Sequence, residues 1–182
     1  MSIVQQNFLS PVEFKFVIHR LPNVAFFVQQ VNIPGLTTGV TEQPNPFKVI
    51  YRHGDKVEFD DLEVVVRVDE NMETYKEIFN WIVGLTKPHN FTEYANLVEG
   101  DGLYSDATLY IMNSNKNANI QIEFKDIFPT SLGQIQMDTT SSDIAYPTTT
   151  ITFKTNGMEI AKLWSKLLTY LKIYVILFEI WR

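Results

Sequence analysis

The chain has 182 residues, 45% hydrophobic and 13% aromatic, which supplies one sizeable core and excludes disorder of the whole chain. A formal charge of −6 argues against a protein that grips a nucleic-acid backbone, and the absence of cysteine removes disulfides, thiol nucleophiles and cysteine metal sites. The start, Met1 to Gln6, has no basic region followed by an apolar run, so no secretory signal is expected and the Asn90-Phe91-Thr92 sequon carries no weight.

Val12, Phe14, Phe16 and Ile18 alternate with Glu13, Lys15 and Val17, the period of a half-buried strand. A turn at Leu21-Pro22-Asn23 and a second strand over Val24 to Ile33 then predict an opening hairpin that stops at Pro34-Gly35. Leu36 to Pro46 is rich in Thr and Pro, with Glu42 its only charge. It reads as an extended surface loop or, alternatively, as an arm lying on a neighbouring subunit through Thr37, Thr38, Val40, Pro44 and Pro46. Val49-Ile50-Tyr51 runs into a turn signal at Gly54-Asp55. After Phe59-Asp60-Asp61, Leu62, Val64, Val66 and Val68 share one face of the clearest strand.

Asn71 is the expected N-cap of a helix over Met72 to Val83. Its stripe is Tyr75, Ile78, Phe79, Trp81, Ile82 and Leu85, and Gly84 and Pro88 are its stop signals. His89 to Ser105 reads as a polar loop. Ala107 to Met112 and the Ile120, Ile122, Phe124 alternation are strands joined by a turn over Asn113 to Asn119. Phe128 to Gly133 breaks the chain, Gln134 to Met137 is a short strand, and Thr148 to Thr155 is the last strand of the body. The sum is a mainly β fold of two packed antiparallel sheets, a sandwich or barrel, with one flanking helix.

Residues 1–156 form that β domain, and residues 157–182 are an apolar extension. Leu163, Trp164, Leu167, Leu168 and Leu171 have helical spacing, favouring a helix from Glu159 onward, while Ile173 to Phe178 suits a strand equally well. Lys166, Lys172 and Glu179 interrupt the run, against a membrane span, so packing on the domain or on a neighbour is the expected use. The extension holds four basic residues against two acidic ones, which leaves −8 on residues 1–156.

Little in the chain carries chemistry. His19, His53 and His89 are scattered and fit structural or surface roles, and Asp69 to Glu73 begins like a calcium loop but has Thr74 where the sharp turn needs Gly. Asp55 with Asp60-Asp61 is an acidic cluster best read as a solvated turn, and there is no phosphate loop or nucleophile elbow. No catalytic, cofactor or metal residue is assigned, and no cofactor is expected. Alternating strands and a long Thr/Pro segment without chemistry suit a product that is an assembly.

Two blocks carry a resemblance to a family. The first is Gly54-Asp55, then Phe59-Asp60-Asp61 leading into Leu62 to Val66, then the helix with Phe79 and Trp81. The second is Ile122 to Ile127 followed by Phe128-Pro129-Thr130-Ser131-Leu132-Gly133 and Gln136-Met137-Asp138. Together, over roughly Pro11 to Thr155, they resemble the tail tube proteins of contractile-tailed bacteriophages, which are related in fold to the type VI secretion tube protein. The resemblance implies a non-enzymatic virion protein, assembled in the host cytoplasm into stacked hexameric rings around a channel for DNA. Its implied partners are copies of itself, the tail sheath and baseplate or hub proteins, with DNA passing unbound and no membrane. A tube-initiator or baseplate-junction homologue, or a secretion-type tube subunit, are the neighbouring readings; attachment to a membrane by Ile160 to Trp181 is the reading from another class.

Overall fold

The computed structural model describes residues 8–86, 94, 102–140 and 146–163. Two sheets pack face to face and share one strand. Sheet A runs β1 (Phe14–Ile18), β6 (Ser105–Met112), β7 (Ala118–Leu132) and β9 (Gly157–Lys162); sheet B runs β7, β8 (Thr148–Lys154), β5 (Leu62–Arg67) and β2 (Val28–Val31). Every pairing is antiparallel. The period-two residues identified in the sequence fill the space between the sheets: Phe16 and Ile18, Leu62, Val64 and Val66, Leu109, Ile122 and Phe124, Ile151 and Phe153.

The shared strand bends where it changes sheet. Its first half pairs with β9 up to Lys125 and with β6 up to Ile127, and its second half pairs with β8 from Phe128 onward. Asp126 sits at the corner with φ 51°, and its N–H donates to Asp106 Oδ1 at 3.0 Å. Thr155 Oγ1 donates to the Lys125 carbonyl at 3.0 Å, so the corner has its own polar partners. Such left-handed residues at strand corners impose a sharp local turn.

The helix α2 (Glu73–Thr86) presents Thr74, Ile78, Trp81 and Gly84 to the core. It runs through Gly84 because that face is buried, and packing outweighs a propensity cost of about 1 kcal/mol. Its cap is Asp69, not Asn71. Met72 takes φ 55°, and the reversal lets Asp69 Oδ2 and Oδ1 accept the N–H groups of Glu73 (3.0 Å) and Thr74 (3.2 Å). Burial pushes this carboxyl up, but the two backbone donors outweigh it and hold it below the usual range.

Several expected elements come out differently. There is no opening hairpin: β1 pairs with β6, and β2 pairs with β5. Between them Val24–Phe27 forms a short helix, α1, with Val24 buried. Pro22, whose fixed φ suits a first helical turn, precedes it, and successive i to i−3 bonds from Leu21 and Val24 coil the chain. Gln134 to Met137 is not a strand: the last pair with β8 is Leu132↔Ile151, and Gly133 ends the ladder. Phe128 to Leu132 continues β7 instead of breaking it, because a bulge between Pro129 and Ser131 absorbs the residue lacking an N–H. From Glu159 to Lys162 the chain is strand, not helix, and Leu163 is already helical; β9 covers an otherwise open edge of β7 and lies beyond residue 156. Most of the expected loop from His89 to Ser105 and the extension after residue 163 lie outside the described residues.

Candidate assembly surface

The Thr/Pro segment is one arm of a hairpin. Strand β3 (Leu36–Pro44) pairs with β4 (Val49–Phe59), and the two form a sheet of their own, separate from the sandwich. Thr and Val favour the extended form, and the prolines Pro44 and Pro46 stand at the strand end and in the tip, where no ladder N–H is required. The hairpin prolongs the β2–β5 pair. Asn32 N–H donates to the Glu63 carbonyl at 3.1 Å, and Asp60 N–H donates to the Gly35 carbonyl at 3.0 Å. The Asn32 side chain adds a clamp: Oδ1 accepts Glu63 N–H at 2.5 Å, and Nδ2 donates to the Asp61 carbonyl at 3.2 Å.

No residue of β3 is buried. Thr37, Thr38, Val40, Pro44 and Pro46 are all exposed, so the hairpin stands clear of the domain that carries it. Leu36, Val40, Val49, Tyr51 and Val57 put apolar side chains into solvent along it, and Phe47 at the tip is 95% exposed. A polar and apolar arm of this kind, anchored at its base and uncovered along its length, lacks a packing partner in the described residues.

Gly54-Asp55 is not a turn. Both lie inside β4, at an irregularity where four residue steps in β4 oppose two in β3 between Thr38 and Val40. There the backbones close up: a Cβ on Gly54 would stand 2.6 Å from the Gly39 carbonyl oxygen. The turn signal was real as a demand for glycine, but the demand is for close approach across a ladder.

The remaining predicted positions, Phe79 excepted, lie along the flanks of β8. Leu62 and Pro129 are both register partners of Phe153, one on each side. Asp61 pairs with Lys154 at 2.5 Å, and Phe128 is the register partner of that lysine. The Asp61 hydrogen bond holds the Lys154 ammonium above its ordinary range. Trp81 stacks toward Phe153 with ring centroids 6.2 Å apart, its Nε1 donates to the Leu103 carbonyl at 3.2 Å, and the Arg20 guanidinium lies 4.9 Å from its ring. Phe79, its sequence companion, points outward and is 50% exposed. Thr130 Oγ1 donates to the Thr152 carbonyl at 3.1 Å. Gly133 lies so near β8 that a Cβ would meet the Thr150 oxygen at 2.9 Å. The two sequence blocks thus brace one strand from both flanks, while Gly54, Asp55 and Phe59 belong to the arm.

Asn32 and Phe47 were not singled out by sequence reasoning, and Asp69 was weighed as the start of a calcium-like loop, not as the helix cap it is. An Asn two residues before Pro34 and an Asp four before Glu73 were available signals, each too common to stand alone. Among the described residues no group of three His, Asp or Glu side chains is placed to hold a metal ion, and no helix is long and apolar enough to cross a membrane. His19 Nε2 lies 3.4 Å from Thr108 Oγ1, and His53 is on the arm.

The sequence matches no protein-family model and no curated protein. Solved structures share its fold over most of its length. A chain of the sheath–tube complex of an extracellular contractile injection system, PVC, in the extended state, is 14% identical with a TM-score of 0.64, covering 87% of this chain and 95% of that one. The tube-terminating cap of the anti-feeding prophage is 14% identical with a TM-score of 0.65, covering 89% and 96%. The PVC sheath/tube terminator in the extended state is 14% identical with a TM-score of 0.62, covering 87% and 99%. The fold is therefore that of components of contractile injection systems, tube-end components among them.

Proposed function

We propose that this chain is a structural, non-enzymatic subunit of the inner tube of a contractile tail, and that it assembles with copies of itself into stacked rings. The observation that carries the reading is the β3–β4 arm, exposed along all of β3, on a sandwich with the fold of contractile-system components. Thr37, Thr38, Val40, Pro44 and Pro46 would contact the neighbour. The resemblance to phage tail tubes supports six-membered rings in a virion, a lumen for DNA, and contacts with sheath and baseplate proteins. The −8 carried by residues 1–156 supports passage without adhesion, since the wall and the DNA have the same sign. Residues 157–182 extend the domain, β9 being their first part, and the apolar remainder would pack on the body or on a neighbour.

A second reading, a subunit that ends or starts the tube, is favoured by the likeness to the cap and the terminator at TM-scores of 0.65 and 0.62. Electron microscopy of the purified protein separates the two: tubes support the first, isolated rings the second. A protein that stays monomeric at high concentration, with or without a baseplate template, would remove both.

A further inference from the structure

The arm has a partner surface at the far end of the same pair of strands. Its base joins the Val31/Leu62 end of the β2–β5 pair; the other end, Val28/Arg67, leads into a groove between α1 and the start of α2. Phe26 and Phe27 stand at this groove with their rings 5.2 Å apart, edge to face, and Phe26 is 85% exposed. Asp69, Glu70 and Glu73 line the same groove. Beside it Glu77 Oε1 accepts Asn23 Nδ2 at 3.0 Å, while its other carboxylate oxygen is buried with no hydrogen-bond partner among the described residues. Of the cations nearby, Lys76 is turned to the Asn71 carbonyl at 3.2 Å and the Arg67 guanidinium lies 5.0 Å from the Tyr146 ring. The groove is therefore apolar, aromatic and anionic.

The arm's tip has the opposite chemistry. Asn45 to Lys48 form the loop between β3 and β4, with Phe47 fully outward and Lys48 exposed beside it. From Gln43 to Arg52 there are two basic residues and no acidic one. We infer that Phe47 and Lys48 of one copy dock in the α1–α2 groove of the next, the ring against Phe26 and the ammonium among Glu70, Glu73 and Glu77. This rests on the reading that the chain assembles with itself.

One molecule cannot make the contact alone. At about 3.3 Å per residue the nine-residue β3 carries the tip about 30 Å beyond the sheet, and the groove lies about 20 Å behind, across the six-residue β5. Knob and groove at opposite ends of one strand pair make a head-to-tail contact, which leaves a free knob and a free groove after each addition until a ring closes.

The natural chain has no cysteine, which allows a clean test. Phe47→Cys and Phe26→Cys variants, each at an exposed site, are treated with a short bismaleimide alone, mixed, and combined in one chain. The expected result is no product from either single variant, a dimer from the mixture, and a ladder from the double variant. Lys48→Glu should raise the concentration needed for assembly by about tenfold, and Glu70→Lys with Glu73→Lys should restore it. Wild-type protein that assembles while Phe47→Cys links to itself, or while the mixture gives nothing, overturns the docking and leaves the tube reading standing. Wild-type protein that never assembles overturns both.

Discussion

Trp81 offers a quantitative test of how the second half of the domain is held. It is 2% exposed, its indole N–H is bonded to the Leu103 carbonyl, Phe153 lies on one side and Arg20 on its face. Trp81→Ala removes the largest fully buried side chain and leaves a cavity, which costs about 3–5 kcal/mol. Trp81→Phe keeps much of the packing but loses the hydrogen bond, about 1 kcal/mol, and weakens the cation–π contact, about 0.5–1 kcal/mol. Phe79→Ala, on the half-exposed companion, should cost about 1 kcal/mol or less. Urea unfolding followed by far-ultraviolet circular dichroism measures all three, at one fixed protein concentration below that of assembly, since association would add to the apparent stability. The reasoning fails if Phe79→Ala is as costly as Trp81→Ala, or if Trp81→Phe leaves the midpoint unchanged.

Gly54→Val should distort the arm, because any Cβ there collides with the Gly39 backbone; assembly should fall while the urea midpoint of the sandwich stays within error. The Asp69 carboxyl is held low, so its cap contributes fully above about pH 4, its unfolded range, and the contribution is lost as pH falls through the folded value. Asp69→Asn, which keeps a capping oxygen, should flatten that acid limb in a stability-versus-pH series, while Asp69→Ala should cost about 1 kcal/mol at neutral pH. Glu159 holds the Lys125 ammonium above its ordinary range, so this tie between β7 and β9 is complete below about pH 10.5 and is lost as pH rises through the raised value. After correction for base-catalysed intrinsic exchange, the protection of β9 amides should be modestly lower in Glu159→Gln than in wild type at neutral pH, and the difference should close as pH rises through the raised Lys125 value.

What the sequence revealed followed from what decides each element. Period-two runs such as Leu62-Val64-Val66 and Ile122-Phe124 are set by burial on one face, so strand identity and facing were legible. Partnership was not, because Phe14–Ile18 meets Ser105–Met112 across about half of the chain, and nothing in either strand names the other. The opening hairpin failed for that reason. Pro22 and the buried Val24 also coil a stretch whose apolar content reads as strand. Gly54 shows a subtler limit: the residue marks a backbone constraint, but turn and close cross-strand approach demand the same residue. At the arm, Thr and Pro predicted an extended chain, but the segment read there as a surface loop is a paired strand. Its pairing with Val49–Phe59 could not be seen, since β3 buries nothing that would impose a pattern.

The position of the arm within the topology also bears on the order of events during synthesis. Its strands are joined by a four-residue tip, and the ladder closes between residues at most 23 positions apart. Sheet A needs residue 14 to meet residue 111, and its last strand ends at residue 162. Local pairings close at low entropic cost and distant ones at high cost, so the ribbon should form on the ribosome well before the sandwich beneath it. A nascent chain would then carry a finished ribbon over an unfinished sandwich, so the exposed surface is made before the body that holds it.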